Sequence, residues 1–437
     1  MYLKRKPISI RKLAVWLLFL YPFYQGVLQD KLGISFVSFL DEILILFLVI
    51  SFFLNKKKIM RWEKIFLSIL LAWGMWGCIS SVLRGVSIGI TLSGMILQLK
   101  NYLIVVIVAG IRWTRFDILR ILKALKHIYF VVIILGFVFY FFPSVALFKN
   151  IYMTSVFNGE PLFATMMVPV GIYAFVMYIQ KREKKQLALL GIVFVCLILA
   201  TTIKNIISLL LACAFYFTTQ KGNRRRKMNF IMLGMLGLVA FSPYIISIFS
   251  IEIEGNFLVP EAINRPRWML YRYGFKIAKD FFPFGSGFGT YATSISYTKH
   301  YSDIYGLYGI DTRYGFQKGD VLFLQDSYWP AVMGETGFIG VIFAVTLLGI
   351  ITIQLRRAIK YAPFGDREIV SVVLYSWIAL LIESCFTSTF FGARSYMILV
   401  FSGIVIKYVA YSSCLSLLCH ETKRLIHENT SFTCRNN

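Results

Sequence analysis

The chain has 437 residues, of which 58% are hydrophobic, with a mean hydropathy of +0.70 and a formal net charge of +25. The apolar share exceeds the roughly 45–50% that is typical of soluble domains, which excludes an ordinary soluble globular protein. An excess of lysine and arginine is typical of nucleic-acid-binding proteins, but the distribution of these residues along the chain argues against that class.

Apolar segments recur along the whole chain. Each is about 17–23 residues long, close to the roughly 20 residues that a helix needs to cross a bilayer, and together they predict an all-α polytopic membrane protein with about 12 transmembrane helices. The predicted spans are residues 13–29, 33–54, 65–83, 89–111, 127–143, 161–180, 186–203, 205–219, 228–249, 327–353, 369–390 and 395–411. The chain then divides into residues 1–250 with transmembrane helices 1–9, a large loop at 251–326, transmembrane helices 10–12 at 327–411, and a tail at 412–437.

Basic residues cluster in every second segment between the predicted spans, as at residues 56–58 and 224–227. This bias is the positive-inside pattern, which predicts that both termini are cytoplasmic and that the segment 251–326 lies outside. The excess charge therefore orients the protein and contacts anionic lipid. We expect the lipid bilayer as a partner and no nucleic acid.

The segment 251–326 differs from the rest of the chain, because it holds eight of the 21 acidic residues and eight lysines and arginines. Residues 264–280 have helical spacing, and Pro266 stands where the start of a helix tolerates proline. Residues 281–291 form a glycine-rich turn that cannot be regular helix, and residues 292–320 read as irregular structure. No Cys/His spacing matches a metal site, so we expect neither a metal nor a cofactor.

Charged residues inside a bilayer cost at least about 2.5–3.5 kcal/mol at its centre, so those within or beside predicted spans are functional candidates. The candidates are Asp41, Glu42, Lys100, Lys204, Glu335, Glu383 and Arg394. A phosphate needs several charge-assisted donors to leave water, so cations at the outer face could hold a lipid-linked diphosphate. These outer cations are Lys100, Lys204, Arg267 and Arg394. Three alternatives stay open: Lys100 could form a structural bridge with Asp41 and Glu42, Lys204 and Arg394 could simply reach the interface, and Glu335 could bond backbone amides.

Three motifs follow one another in the second half of the chain. The first is Arg267-Trp268 before a short helix, the second is the glycine run at 283–291, and the third is Asp326-Ser327 with the Gly-rich stretch 334–340 entering the next span. Together with one large loop before the third-last span, they resemble the bacterial O-antigen polymerase and ligase superfamily, the Wzy/WaaL-type glycan polymerases. In motif residues the likeness covers about forty positions, and in layout it covers nearly the whole chain.

The resemblance implies a GT-C-like fold in the bacterial cytoplasmic membrane. It implies a glycosyltransferase that polymerises polyprenyl-diphosphate-linked oligosaccharide repeat units into an O-antigen, capsule or exopolysaccharide on the outer face. It also implies a chain-length regulator and a flippase of the same pathway as partners. Ligases resemble one another in a His-Asn pair where this chain has Asp326-Ser327, which favours a polymerase. Ligase-type transfer to another acceptor and a flippase for the same lipid-linked glycan stay open as alternatives.

The implied chemistry needs cations that stabilise the departing diphosphate and a base for the acceptor hydroxyl. We expect Arg267 and Lys204 to be the catalytic cations and Asp326 to be the base or the group that orients the hydroxyl. Asp326 could instead cap the next helix with Ser327, and the glycine run could be a plain turn. The residues expected to bind substrate are Arg265, Arg272, Lys100, Glu160, His300, Arg394, Gly285, Gly287, Gly289 and Tyr291.

Overall fold

The computed structural model of the chain describes residues 9–54, 59–145, 153–157, 159–219 and 266–412. These parts of the chain contain helices and no strand, as the sequence predicts. Seven of the described helices are long and apolar enough to cross a membrane by length and composition. The protein is therefore an all-α polytopic membrane protein.

Described helices overlap every predicted span except the ninth, residues 228–249, which lies outside the described residues. Four of the overlapping helices are not among the seven that are long and apolar enough to cross a membrane. The long helices are α1 (Ile10–Gly26), α2 (Leu40–Leu54), α3 (Arg61–Leu83), α4 (Ile88–Ala109), α5 (Arg115–Phe141), α6 (Glu160–Lys181), α7 (Lys184–Leu199), α8 (Ile203–Thr219), α12 (Tyr328–Tyr361), α13 (Arg367–Ser384) and α14 (Ala393–Ser412). The shorter described helices between α8 and α12 are α9 (Pro266–Asp280), α10 (Ile295–Thr298) and α11 (Asp303–Leu307). The last two correct the prediction that residues 292–320 are wholly irregular, because each forms one short helical turn.

Two groups of helices build the part of the bundle that carries the charged residues. In one group α12 packs against α3, α9 and α13, and in the other α6 packs against α7, α8 and α13. Helix α13 belongs to both groups and joins them. Large apolar side chains stay exposed along the outer sides of α3, α5 and α12, as is expected where helices face lipid rather than water.

Helix α9 confirms the helix predicted at 264–280 as far as the described residues reach, and it begins at Pro266. Proline is suited to this position, because its fixed φ matches the helix and the N–H that it lacks would have no partner in the first turn. One face of α9 is buried against α12. That face is formed by Met269, Leu270, Gly274, Ile277 and Ala278.

The glycine-rich turn that follows α9 confirms the prediction that residues 281–291 are not regular helix. Gly285, Gly287 and Gly289 have φ of 80°, 97° and 77°, which favours glycine at all three positions. A Cβ at Gly285 would lie 2.6 Å from the backbone nitrogen of Gly337, where α12 itself is broken by a φ of 67°. The turn therefore fits into the break in α12 only because Gly285 has no side chain.

Glu335 fixes this turn from inside the bundle. Its carboxylate accepts hydrogen bonds from the backbone N–H of Tyr291 (3.0 Å), from Thr293 Oγ1 (2.9 Å) and from Gln98 Nε2 of α4 (2.5 Å). A buried carboxylate needs such partners to remain stable away from water. Glu335 thus connects α12, the glycine-rich turn and α4.

Candidate functional site

Five charged residues lie where helices begin or end at one end of the bundle. Lys204 is in the first turn of α8 and Arg267 is in the first turn of α9. Asp326 comes just before α12, Glu383 lies in the last turn of α13, and Arg394 lies at the start of α14. We call these five residues the charged cluster.

The closest contact in the charged cluster is between Arg267 and Asp326. Arg267 Nε donates to Asp326 Oδ2 at 2.5 Å, and the two side chains are 43% and 30% exposed. Among the described residues, the terminal nitrogens of Arg267 and Oδ1 of Asp326 have no hydrogen-bond partner. Ser327 is the N-cap residue of α12, but its side chain makes no capping hydrogen bond. The Asp326 carboxylate is therefore directed to Arg267, and no described residue occupies the other polar atoms of the two groups, where a ligand could bind.

Glu383 is the buried acid of the charged cluster, with only 2% of its surface exposed. Its carboxylate accepts a short hydrogen bond from Thr165 Oγ1 of α6, and Asn205 Nδ2 of α8 donates to the same Thr165 oxygen at 3.4 Å. These contacts connect α6, α8 and α13 around one carboxylate. The position of Glu383 is thereby fixed by three helices.

Lys204 and Arg394 supply positive charge beside these acids. Each of them interacts electrostatically with Glu383, Asp326 and Arg267. Neither forms an ion pair within 4.0 Å in the part of the chain that the structure describes. Three cations thus stand against two carboxylates, and two of the three lack an ion-pair partner among the described residues, so the charged cluster is suited to an anion.

Two further contacts hold the elements of the charged cluster together. Tyr271 of α9 donates to the carbonyl oxygen of Cys385 at 2.8 Å, and Trp329 of α12 donates to Ser384 Oγ at 3.1 Å. Burial raises the pKa of the Tyr271 hydroxyl, which keeps it protonated as a donor. Both α9 and the start of α12 are therefore attached to the end of α13, next to Glu383.

Lys100 lies apart from the charged cluster in a site of its own. Its ammonium group is 2.8 Å from Asp41 Oδ2 and 2.6 Å from Glu42 Oε1, and Tyr396 donates to the same Asp41 carboxylate. This arrangement is the structural bridge that the sequence left open as an alternative. With two carboxylates at its ammonium group, Lys100 offers no free charge to a diphosphate in this structure.

The neighbour of Lys100 supports the charged cluster indirectly. The side-chain amide of Asn101 donates to the carbonyl oxygens of Phe390 (2.7 Å) and Gly392 (3.2 Å) and to Ser395 Oγ (3.0 Å). These three acceptors flank Arg394, so Asn101 fixes the segment that presents this arginine. Asn101 was not predicted from the sequence as a functional residue; the signal that it carried was a polar amide within an apolar span.

The other acidic and basic residues expected at the site are not bonded to the charged cluster by any described contact. Glu160 is the first residue of α6, at the same end of the bundle, while Arg272 and His300 are exposed. None of the hydrogen bonds or ion pairs between described residues connects these three side chains to the charged cluster. Arg265 lies outside the described residues.

The glycine motif lies in the protein interior. Gly285, Gly287 and Gly289 are buried, and Tyr291 is fully enclosed with its hydroxyl donating to the carbonyl oxygen of Leu270 at 2.8 Å. These four residues contact α3, α4 and α12, and they present no surface to a substrate. Their placement corresponds to the plain-turn alternative, in which they fix the path of the chain between α9 and α12.

Comparison with protein-family models gives no match to this chain, and comparison with curated proteins gives none either. The class of the protein therefore depends on its own fold and composition, which define an all-α polytopic membrane protein. Within that class, the charged cluster at one end of the bundle is the feature that indicates function. Of its five members, Glu383 was selected from the sequence only as a charge within a span, because its contacts with α6 and α8 depend on the fold.

Proposed function

We propose that the protein polymerises polyprenyl-diphosphate-linked oligosaccharide repeat units into a surface polysaccharide, at the outer face of the bacterial cytoplasmic membrane. The observation that carries this proposal is the charged cluster, in which Arg267, Lys204 and Arg394 converge at one end of an apolar bundle. The resemblance of the loop motifs to Wzy-type polymerases supports the same reaction. The positive-inside pattern supports the outer side as the location of that end.

The proposed reaction joins two lipid-linked units. An acceptor sugar hydroxyl forms a bond to the anomeric carbon of the donor glycan, while the bond from that carbon to the diphosphate oxygen breaks. The acceptor proton passes to a base, and polyprenyl diphosphate leaves with the bonding electron pair. This reaction consumes no nucleotide sugar, because the energy of the donor lies in its diphosphate ester.

The cations have the role of stabilising the leaving group. Negative charge grows on the diphosphate as its bond to the anomeric carbon breaks. Hydrogen-bond donors and cations that are already in place stabilise this charge and lower the activation barrier most effectively. Arg267 can direct its terminal nitrogens to the phosphate oxygens while Nε stays bonded to Asp326. Lys204 and Arg394 add positive charge without first having to break an ion pair among the described residues.

Asp326 is our proposed base. Its Oδ1 atom carries no hydrogen bond from the described residues, so it can accept the proton of the acceptor hydroxyl while Oδ2 stays on Arg267. A base must reach the hydroxyl directly or through one water, and the 30% exposure of Asp326 leaves room for that approach. Glu383, which is buried, would instead hold Lys204 and Arg394 in place.

The location of the lipid-linked substrate in cells separates polymerisation from flipping. Cells that lack the protein should accumulate single lipid-linked repeat units on the outer leaflet if the protein is a polymerase. They should accumulate the same units on the inner leaflet if it is a flippase. Preformed polymer that fails to reach its final acceptor would indicate a ligase. Labelling of the glycan with a reagent that does not cross the membrane measures the leaflet directly.

A further inference from the structure

One face of α9 remains uncovered and carries large aromatic side chains. Trp268 and Phe275 are 51% and 55% exposed, and Phe282, two residues beyond the helix, is 68% exposed. Trp268 and Phe275 are seven residues apart and therefore lie on the same side of α9, which is not the side that carries the buried residues Met269, Leu270 and Ile277. Aromatic exposure of this kind marks a surface that another apolar phase covers.

Basic residues alternate with the aromatic residues on this face. Arg272 lies four residues after Trp268, and Lys279 lies four residues after Phe275; both are exposed and form no ion pair with the described residues. Aromatic rings beside lysine and arginine are the composition of helices that lie in the interface of a membrane. There the rings enter the headgroup region and the cations meet lipid phosphates.

The aromatic face is continuous with a surface that faces lipid. The ring of Phe275 packs against that of Phe338 in α12, with 5.4 Å between the ring centroids. Phe338 shares one side of α12 with Ile342 and Val345, which follow it by four and seven residues and are exposed. Helix α12 is long and apolar enough to span a membrane, so its exposed apolar side contacts acyl chains.

We infer that α9 is an interfacial anchor, with Trp268, Phe275 and Phe282 inserted into the headgroup region of the bilayer. Arg272 and Lys279 bind the phosphates of anionic phospholipids beside them. The continuity with α12 and the alternating cations favour phospholipid as the occupant over a second copy of the chain. Because Arg267 precedes Trp268 directly, the anchor holds the charged cluster at the level of the lipid phosphates. This inference concerns the bilayer itself and does not depend on the proposed reaction.

Fluorescence quenching in vesicles tests the anchor without any activity measurement. Phe275→Cys and Phe282→Cys are introduced singly into a cysteine-free full-length background, labelled with bimane, and reconstituted into phosphatidylethanolamine–phosphatidylglycerol vesicles. Leu307→Cys is the matched control, because Leu307 is as exposed as Phe282 (68%) but belongs to α11 and not to α9 or the residues directly after it. Quenching by headgroup-region nitroxide lipids is compared with quenching by iodide in the water.

The inference predicts at least a threefold higher ratio of lipid to iodide quenching at positions 275 and 282 than at 307. Equal ratios at all three positions would overturn it, and so would protection from both quenchers, which would indicate a protein partner or a second copy. Should the cysteine-free background fail to fold, brominated phospholipid provides a second measurement. Wild type should then lose more tryptophan fluorescence than Trp268→Phe, whereas equal losses in the two proteins would contradict the anchor.

Discussion

Arg267 donates its Nε–H to Asp326 Oδ2 at 2.5 Å and thereby joins the first turn of α9 to the start of α12. The two residues are 59 positions apart in the chain, and the glycine-rich turn and two short helices lie between them. Their contact brings one cation and one acid together beside Lys204 and Arg394. The proposed function depends on this arrangement.

Arg267→Ala should lower the amount of long polymer in cells by about 100-fold or more, because a preplaced donor to the leaving group is lost. Arg267→Lys should retain only part of the activity, since an ammonium group cannot bond Asp326 and a diphosphate with the same fork geometry. Arg313→Ala, which removes an exposed arginine of the same segment, should leave the polymer unchanged. Polymer length on gels and the amount of inserted protein are measured together; normal polymer in Arg267→Ala would contradict the role.

Asp326→Asn should lower polymerisation by roughly 100-fold if Asp326 is the base. Its effect on stability should be small, about 0–1 kcal/mol, because ion pairs as exposed as this one are weak. Asp303→Asn, an exposed acid of the same segment, is the matched control. Activity is compared with the thermal stability of the purified variants in detergent. Near-normal polymer from a stable Asp326→Asn protein would exclude the role as base.

Neutralising Lys204 should impair the reaction without disturbing the Arg267–Asp326 contact. Lys204→Met is expected to reduce polymerisation by at least about 10-fold, because it removes a cation that developing phosphate charge requires. Lys204→Arg should restore part of that loss by restoring the charge. Lys185→Met in α7, where the lysine is exposed and paired with Glu183, serves as the control. Equal activity of Lys204→Met and Lys185→Met would remove Lys204 from the site.

Asn101→Ala should weaken both stability and activity. It leaves three buried or partly buried acceptors without their donor, which costs about 1–3 kcal/mol for a buried group that loses its hydrogen bond. The segment around Arg394 then loses its fixed position, so activity should fall further than in Leu92→Ala, which truncates an exposed residue of the same helix. Thermal unfolding and polymer length are measured on both variants. If Asn101→Ala is less stable but fully active, Asn101 has only a structural role.

The glycine motif should prove structural. Gly285→Ala introduces a methyl group 2.6 Å from the Gly337 nitrogen at a φ of 80°, so the variant should lose folded protein rather than substrate affinity alone. Gly349→Ala is the control, because a Cβ there meets nothing within 4 Å. Yield after detergent extraction and unfolding temperature distinguish the two outcomes. A stable Gly285→Ala protein with weakened substrate binding would instead support the substrate contact first expected.

The sequence alone predicted the long apolar helices of the described residues and the approximate bounds of α9, but not the short helices α10 and α11. Long apolar runs have few alternatives to a helix in a bilayer, because every backbone N–H and C=O must find a partner inside the segment. The helix at 264–280 could be predicted because its spacing and Pro266 act locally. For the same reason the glycine run at 281–291 was recognisable as a turn.

The contacts within the candidate site could not be predicted from the sequence. The position of Lys100 in its predicted span indicated a cation at the outer face, but in the fold Asp41 and Glu42 form ion pairs with it. Glu383 and Asn101 gain their roles from partners 218 and 294 positions away, and no local pattern encodes such contacts. Residue type and position therefore predicted Arg267 and Asp326 as separate candidates, while their direct bond required the fold.

Reconstitution of the purified protein tests the central claim most directly. Full-length protein in vesicles is given a polyprenyl-diphosphate-linked repeat unit as both donor and acceptor, with Arg267→Ala and Arg313→Ala in parallel. The account predicts a ladder of polymer from wild type and Arg313→Ala, one polyprenyl diphosphate released for each new bond, and neither product from Arg267→Ala. Equal polymer and diphosphate release from Arg267→Ala, or none from the folded wild-type protein, would contradict it.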